Sequence, residues 1–277
     1  MSYSGAPGYN QQLKSFDIQA IQAIYGTTDA NNILSWNWNP TTFTLTQMDG
    51  NDDDTILGVA AIDNISGAGG NDLIAGFEGN DKFTGGAGSD TIFGGDGTDK
   101  ATFSGLRSQY AISVYTGLVD VVDSVSSRDG TDTIYDVERL AFSDKSIAFD
   151  TNENGGKAYR IYQAAFNRVP DTEGLGYWIA QLDNGVSLNS VAQGFIGSAE
   201  FRSMYGASPS NSTLVDNLYR NILHRAGEQG GVDYWVGQLN TGVSRADVLV
   251  GFSESAENKA GVIGSIQNGI EYKEWLG

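Results

Sequence analysis

Apolar and polar positions along the chain follow different rhythms in different stretches. Residues 16–25 (FDIQAIQAIY) place Ile18, Ile21, Ile24 and Tyr25 at helical intervals. Ser15 stands where an N-cap belongs and Gly26 where a helix stops, so the spacing predicts a helix there. From Asp49 the interval becomes nine. In frame the chain reads DGNDDDTIL, GVAAIDNIS, GAGGNDLIA, GFEGNDKFT, GGAGSDTIF, GGDGTDKAT, ending at Thr102. The eighth place is apolar (Ile56, Ile65, Ile74, Phe83, Ile92, weakly Ala101) and the sixth is always Asp (Asp54, Asp63, Asp72, Asp81, Asp90, Asp99). Between 103 and 150 the runs AISVYT, LVDVVDS and DTIYDVERLAFSDKSIAF read as antiparallel strands with turns at Gly117 and Asp129-Gly130. Beyond a linker at NENGG (152–156), helical spacing returns.

The nine-residue period has a mechanical meaning. Its last three residues make a short strand with one inward side chain, and the glycine-rich six make a turn. Two periods complete one coil, so the apolar residues stack as the inner ladder of a parallel β-roll. Aspartates eighteen apart then line up on each side: Asp54, Asp72 and Asp90 on one, Asp63, Asp81 and Asp99 on the other. Carboxylates stacked at a strand spacing of ~4.8 Å repel one another unless a cation lies between them.

Charge sharpens this picture. The chain has 277 residues and a net charge of −18, with no Cys and one His, His224. Residues 49–102 hold eleven acidic and two basic residues, half of that net charge. Such a balance argues against nucleic acid and toward cations. Oxygen-only donors suit several Ca²⁺ ions; zinc is not expected, because it wants His or Cys. No apolar run is long enough for a membrane span. No basic n-region and apolar h-region opens the chain, so no signal peptide is expected there.

These turns resemble the RTX (repeats-in-toxin) calcium-binding nonapeptide G-G-x-G-x-D-x-U-x. Residues 85–93 match throughout, through Gly85, Gly86, Gly88 and Asp90, and 94–102 match through Gly94, Gly95, Gly97 and Asp99. Residues 67–75 keep Gly67, Gly70 and Asp72, and 76–84 keep Gly76, Gly79 and Asp81. Asp54 and Asp63 belong to a degenerate first coil. In the family each ion lies between two loops on one side. The resemblance therefore implies metal sites pairing 67–72 with 85–90 and 76–81 with 94–99, and less well 49–54 with 67–72 and 58–63 with 76–81. DIQAIQAIYG and Met1-Ser2-Tyr3 are similar to the linking helix and Met-turn of serralysin-type metallopeptidases. The zinc-binding H-E-x-x-H stretch of that family is absent, and His224 cannot replace three histidines.

The C-terminal half repeats with a period of 57. Tyr162, Arg168, Gly174, Tyr177-Trp178, Leu182, Gly185-Val186-Ser187, Phe195, Ser198 and Glu200 recur as Tyr219, Arg225, Gly231, Tyr234-Trp235, Leu239, Gly242-Val243-Ser244, Phe252, Ser255 and Glu257. Six to eight helices are predicted, with Ser187 and Ser244 as N-caps. Arg168 and Arg225, with Asp171 and Glu228, read as turn braces rather than anion sites, and the Tyr-Trp pairs as core. His224 stands where the first unit has Asn167, so its role is not duplicated. This half resembles a domain of unknown function found in bacterial RTX and surface-layer-like proteins, which brings no established reaction.

The reading is a multidomain α+β protein: a parallel β-roll (RTX) with a β cap, followed by an all-α duplicated domain. Residues 1–48 are expected to be a helix and connector, 49–102 the roll, 103–150 the cap, 157–260 the helical domain and 261–277 a tail serving as a secretion signal. The resemblance implies a secreted, non-catalytic calcium-binding protein whose roll folds after passage through a type I exporter; the helical domain is read as mediating adhesion or association, with a cell-surface or glycan partner. Two alternatives are a C-terminal piece of a serralysin-like zinc peptidase and a carbohydrate-binding module using Tyr177/Trp178 and Tyr234/Trp235.

Overall fold

The computed structural model describes residues 35–277. The helix expected at 16–25 and the Met1-Tyr3 turn lie outside the described residues. The chain divides after Ser143 into two compact units.

The first unit is a parallel β-solenoid. Among the described residues its strands are β1 (Ser35–Asn39), β2 (Thr44–Met48), β3 (Thr55–Leu57), β4 (Ile62–Gly69), β5 (Leu73–Glu78), β6 (Lys82–Ala87), β7 (Thr91–Asp96), β8 (Lys100–Thr102), β9 (Tyr110–Tyr115), β10 (Leu118–Asp123), β11 (Thr131–Tyr135) and β12 (Arg139–Ala141). One face orders them β1-β2-β4-β6-β8-β12 and the other β3-β5-β7-β11-β10-β9. Strands alternate between faces because each nine-residue repeat is half a coil. Ile56 sits beside Ile74 and Ile74 beside Ile92, while Ile65 sits beside Phe83 and Phe83 beside Ala101. All six are buried, Ala101 included. Each fully buried Ile or Phe contributes ~1.5–3 kcal/mol, so these two inner rows are the roll's core.

The roll extends past both ends of the nine-residue frame read from the sequence. On the N-terminal side β2 joins in parallel, with Gln47 beside Ile65 and Leu45 beside Asp63. At the other end the cap reading needs correction. β9, β10 and β11 do form an antiparallel meander. However, β11 also pairs in parallel with β7, and β12 with β8, so the last run continues the roll. Phe103, Tyr110 and Phe142 pack together at 4.9–5.4 Å under this end.

The second unit is helical, with a short antiparallel strand pair, β13 (Ser146–Ala148) and β14 (Ile270–Tyr272). Its eight helices are α1 (Asn154–Phe166), α2 (Thr172–Asp183), α3 (Leu188–Ile196), α4 (Ala199–Tyr205), α5 (Asn211–Ile222), α6 (Gln229–Asn240), α7 (Arg245–Ser253) and α8 (Ala256–Ile266). The four helix starts recur 57 residues later without slippage. Ser187, Ser198, Ser244 and Ser255 cap their helices by accepting the N–H three residues on. The helices differ where one glycine differs: Gly206, at φ +92, ends α4, while its counterpart Ile263 lets α8 run on to Ile266.

Asn154–Gly156 are the first turn of α1, not a linker. A Cβ on Gly155 would lie 2.4 Å from Asp150 Oδ1, and one on Gly156 1.8 Å from Thr151 O. Close approach, rather than flexibility, explains that Gly-Gly pair. Residues 261–277 hold the end of α8 and β14; Ile270 and Tyr272 are buried, and the Lys273 N–H donates to Thr172 O at 2.9 Å. His224 and Asn167 share one property, a left-handed backbone at φ +54 and +46. The duplicated feature is thus the turn, which both side chains tolerate.

Candidate metal centre

The aspartates of the nine-residue repeat form two buried columns. Asp54, Asp63, Asp72, Asp81, Asp90 and Asp99 are each at most 8% exposed. One carboxylate oxygen braces the neighbouring coil. Asp72 Oδ1 accepts the Asp54 N–H at 3.0 Å, and Asp90 Oδ1 that of Asp72 at 2.9 Å. On the other side Asp81 accepts from Asp63, and Asp99 from Asp81, both at 2.8 Å. The second oxygen is the informative one. Oδ2 of Asp54, Asp72, Asp81, Asp90 and Asp99, and Oδ1 of Asp63, are buried with no hydrogen-bond partner among the described residues. A buried acceptor left unpaired costs on the order of 1–3 kcal/mol, more when charged, and here it recurs six times.

The glycines make room for this arrangement. At the first place, a Cβ on Gly67, Gly76, Gly85 or Gly94 would lie 2.1, 2.2, 2.0 or 2.6 Å from Oδ2 of its own turn's aspartate. At the fourth place the constraint is the next coil: a Cβ on Gly88 would sit 1.7 Å from Gly70 O, and on Gly97 1.6 Å from Gly79 O, at φ +146 and +154. Gly70 and Gly79 make the same approach to Asp52 O and Ala61 O. Main-chain carbonyls therefore face the stacked loops. The second place needs glycine less. Gly86 and Gly95 have positive φ, but so do their counterparts Ala68 and Phe77.

Burial pushes the carboxyls up. Asp63, Asp72 and Asp99 rise to about 7 and Asp81 to about 6, with burial as the largest cause and backbone N–H donors opposing it. Asp54 and Asp90 are raised for the same first reason. Neighbouring aspartates add repulsion, as Asp90 and Asp54 do around Asp72.

The structure brings together loops 67–72 and 85–90, and loops 76–81 and 94–99, through the β5–β7 and β4–β6–β8 pairings. It also contains site elements that the sequence reading passed over. Asp49 occupies a first place that is otherwise glycine, and its buried Oδ2 is unpartnered among the described residues. Asp132 Oδ1 accepts the Asp90 N–H, and Glu138 Oε2 the Asp99 N–H, both at 2.9 Å. A further spine runs through the fifth place, where Asp53 takes the Asn71 N–H, Asn71 that of Ser89 and Asn80 that of Thr98, at 2.6–2.9 Å. The recurring Asp or Asn at that place was its available signal.

Among the described residues no three His, Cys, Asp or Glu side chains converge on one point. A cation between loops would thus meet carboxylates from adjacent coils and complete its shell with carbonyl oxygens. Orphaned carboxylate oxygens and an all-oxygen donor set fit a hard ion that accepts irregular six- to eight-fold coordination, which is Ca²⁺.

In the helical unit the arginines are braces. Arg168 Nε pairs with Glu200 at 2.9 Å and Arg225 Nε with Glu257 at 2.6 Å, beside Asp171 and Glu228 respectively. Trp178 packs on Phe195 at 4.8 Å and Trp235 on Phe252 at 5.4 Å; Tyr177 lies against Trp275, while Tyr234 is exposed.

Comparison with known proteins agrees with this division. Residues 48–76 and 75–101 match the family model of the RTX calcium-binding nonapeptide repeat. Residues 158–204 and 192–262 match the domain of unknown function DUF4214. No curated protein matches the chain. Among solved structures, the extracellular lipase LipA from Serratia marcescens is similar at 17% identity and a TM-score of 0.32, over 37% of this chain and 19% of the lipase chain. The solenoid fold and its buried aspartate columns fit the class of calcium-binding repeat proteins. This chain carries RTX calcium-binding nonapeptide repeats and, behind them, a DUF4214 domain.

Proposed function

We propose that this chain is a secreted, non-catalytic calcium-binding protein in which Ca²⁺ drives closure of the roll after export. The observation that carries this reading is the row of buried aspartate oxygens without partners, in a segment holding half the net charge. Loops 67–72 with 85–90, and 76–81 with 94–99, would hold the ions, using Asp72, Asp81, Asp90 and Asp99. Loops 49–54 and 58–63 would add sites through Asp54 and Asp63. Bound Ca²⁺ supplies positive charge that offsets the repulsion along each column. The aspartates position that charge and carry the hydrogen bonds that set coil spacing.

Extracellular Ca²⁺ modules typically bind with Kd ~10⁻⁴–10⁻³ M. Such sites fill outside a cell and stay empty in the cytosol, which supports a chain exported unfolded through a type I exporter. Absence of Cys is in keeping, since metal replaces disulfides as the staple. The helical unit would serve adhesion or association. Three of its four Tyr-Trp rings are partly buried, so stacking on sugars is left to Tyr234.

Circular dichroism with and without EGTA tests this. Chelation is expected to remove the β signal while the helical signal persists. Replacing Asp72, Asp81, Asp90 and Asp99 by Ala is expected to abolish most of the calorimetric Ca²⁺ uptake. Undiminished heat and stoichiometry would remove those residues as ligands.

A further inference from the structure

The repeat frame does not end at Thr102. Residues 127–135 read SRDGTDTIY, and their GTDTI repeats GSDTI of 88–92 with one hydroxyl residue exchanged. The structure seats this segment as another half-coil. Thr133, Ile134 and Tyr135 pair in parallel with Thr91, Ile92 and Phe93, and the Tyr135 ring stacks on Phe93 at 4.7 Å. A Cβ on Gly130, at φ +75, would lie 1.7 Å from Gly88 O, the same approach Gly88 makes to Gly70 O. Asp132 Oδ1 takes the Asp90 N–H at 2.9 Å, continuing that column. Residues 103–126, which include the β9–β10 hairpin, are an excursion between one half-coil and the next.

The opposite column stops. Only Asp136 and Val137 separate Tyr135 from Glu138, too few for a six-residue loop. Glu138, one methylene longer than aspartate, reaches the Asp99 N–H and ends that side.

We infer that loops 85–90 and 127–132 enclose a further divalent-cation site, outside the contiguous repeats, held by Asp90, Asp132 and loop carbonyls. The class of ion is the hard, oxygen-seeking one, Ca²⁺. Asp90 points to a ligand independently of the acidic cluster. It is 2% exposed, and its Oδ2 has no partner among the described residues. That oxygen is aimed into its loop, 2.0 Å from where a Gly85 Cβ would stand. Nearby Asp129 is engaged otherwise, accepting from the Ser104 N–H and Oγ and from the Tyr110 hydroxyl. Asp129 ties loop 127–132 to the start of the excursion, so occupancy of the site would hold the hairpin in place. This inference rests on the reading that the stacked loops bind calcium.

Asp132→Asn removes the charge but keeps the Oδ1 acceptor for Asp90, so the coil spacing is retained. Equilibrium dialysis of the full chain with Ca²⁺ is expected to show one ion fewer in this variant than in the parent. Hydrogen exchange supplies a second arm that does not depend on the variant folding. Calcium is expected to slow exchange across 110–123 in the parent. In the variant that protection is lost while 62–83 stay protected. Parent-like stoichiometry in Asp132→Asn, or hairpin exchange in the parent that ignores calcium, overturns the inference while leaving the contiguous sites intact. A parent that takes up no calcium overturns both readings together.

Discussion

Replacing glycine in the roll should have opposite outcomes depending on its place. Gly50 is clear of neighbours and has no positive φ, so Gly50→Ala is expected to leave the thermal midpoint within about 1 °C or raise it. Gly88→Ala combines a left-handed backbone, costing ~1–2 kcal/mol, with a Cβ 1.7 Å from Gly70 O. It is expected to separate the coils, seen as loss of the calcium-dependent β signal. Gln47 offers the reverse test. It stands beside Ile65 at the head of an apolar row, and its Oε1 is buried without a partner among the described residues. Gln47→Ile is expected to stabilise the roll by ~1–3 kcal/mol in denaturant unfolding, because it relieves that desolvated amide. An unchanged midpoint would mean that water reaches it.

Sequence legibility differs from element to element for physical reasons. The half-coils of 49–102 were readable because each imposes the same demands on the same places, aspartate at the sixth and an apolar residue at the eighth. The antiparallel pairing of β11 with β10 is legible, but its parallel pairing with β7 is not, because residues 103–126 break the count, although GTDTI preserves it. The helices were readable in pairs, since a cap such as Ser187 or Ser244 is a local signal. The contact that ties α1 to the end of α7 was not. Arg160, 1% exposed, makes a two-pronged bond to Glu254 at 2.7–2.8 Å, and neither has a counterpart 57 residues away. Such a pair arises only where the two copies meet asymmetrically. Glu254→Ala leaves that guanidinium buried without its carboxylate. It is expected to cost the helical unit ~3–5 kcal/mol, measured by chemical unfolding of the chain in excess calcium.

Taken over the entire chain, protons and calcium compete for the same carboxylates. Without metal, Asp63, Asp72 and Asp99 titrate at about 7 when folded, against a reference of 3.8. The folded roll then binds more protons than the unfolded chain between those values, so its metal-free stability falls as pH rises through that window. In EGTA, acidification from pH 7.5 to 5 is expected to restore β structure by circular dichroism. Calcium affinity is expected to fall over the same interval, with protons released on binding. A metal-free roll that melts at the same temperature at pH 5 and pH 7.5 would contradict the burial of these groups.

Because each coil is two half-coils, the roll can change length in two unequal ways. Excising eighteen residues, such as 67–84, removes one full winding and returns every later side chain to the azimuth it had before. Excising nine rejoins the stack half a winding out of phase, placing the β1–β2 hairpin and β12 on opposite sheets instead of the one they now share. Inheritance of longer or shorter versions should therefore proceed in even numbers of repeats wherever both ends must keep their bearing.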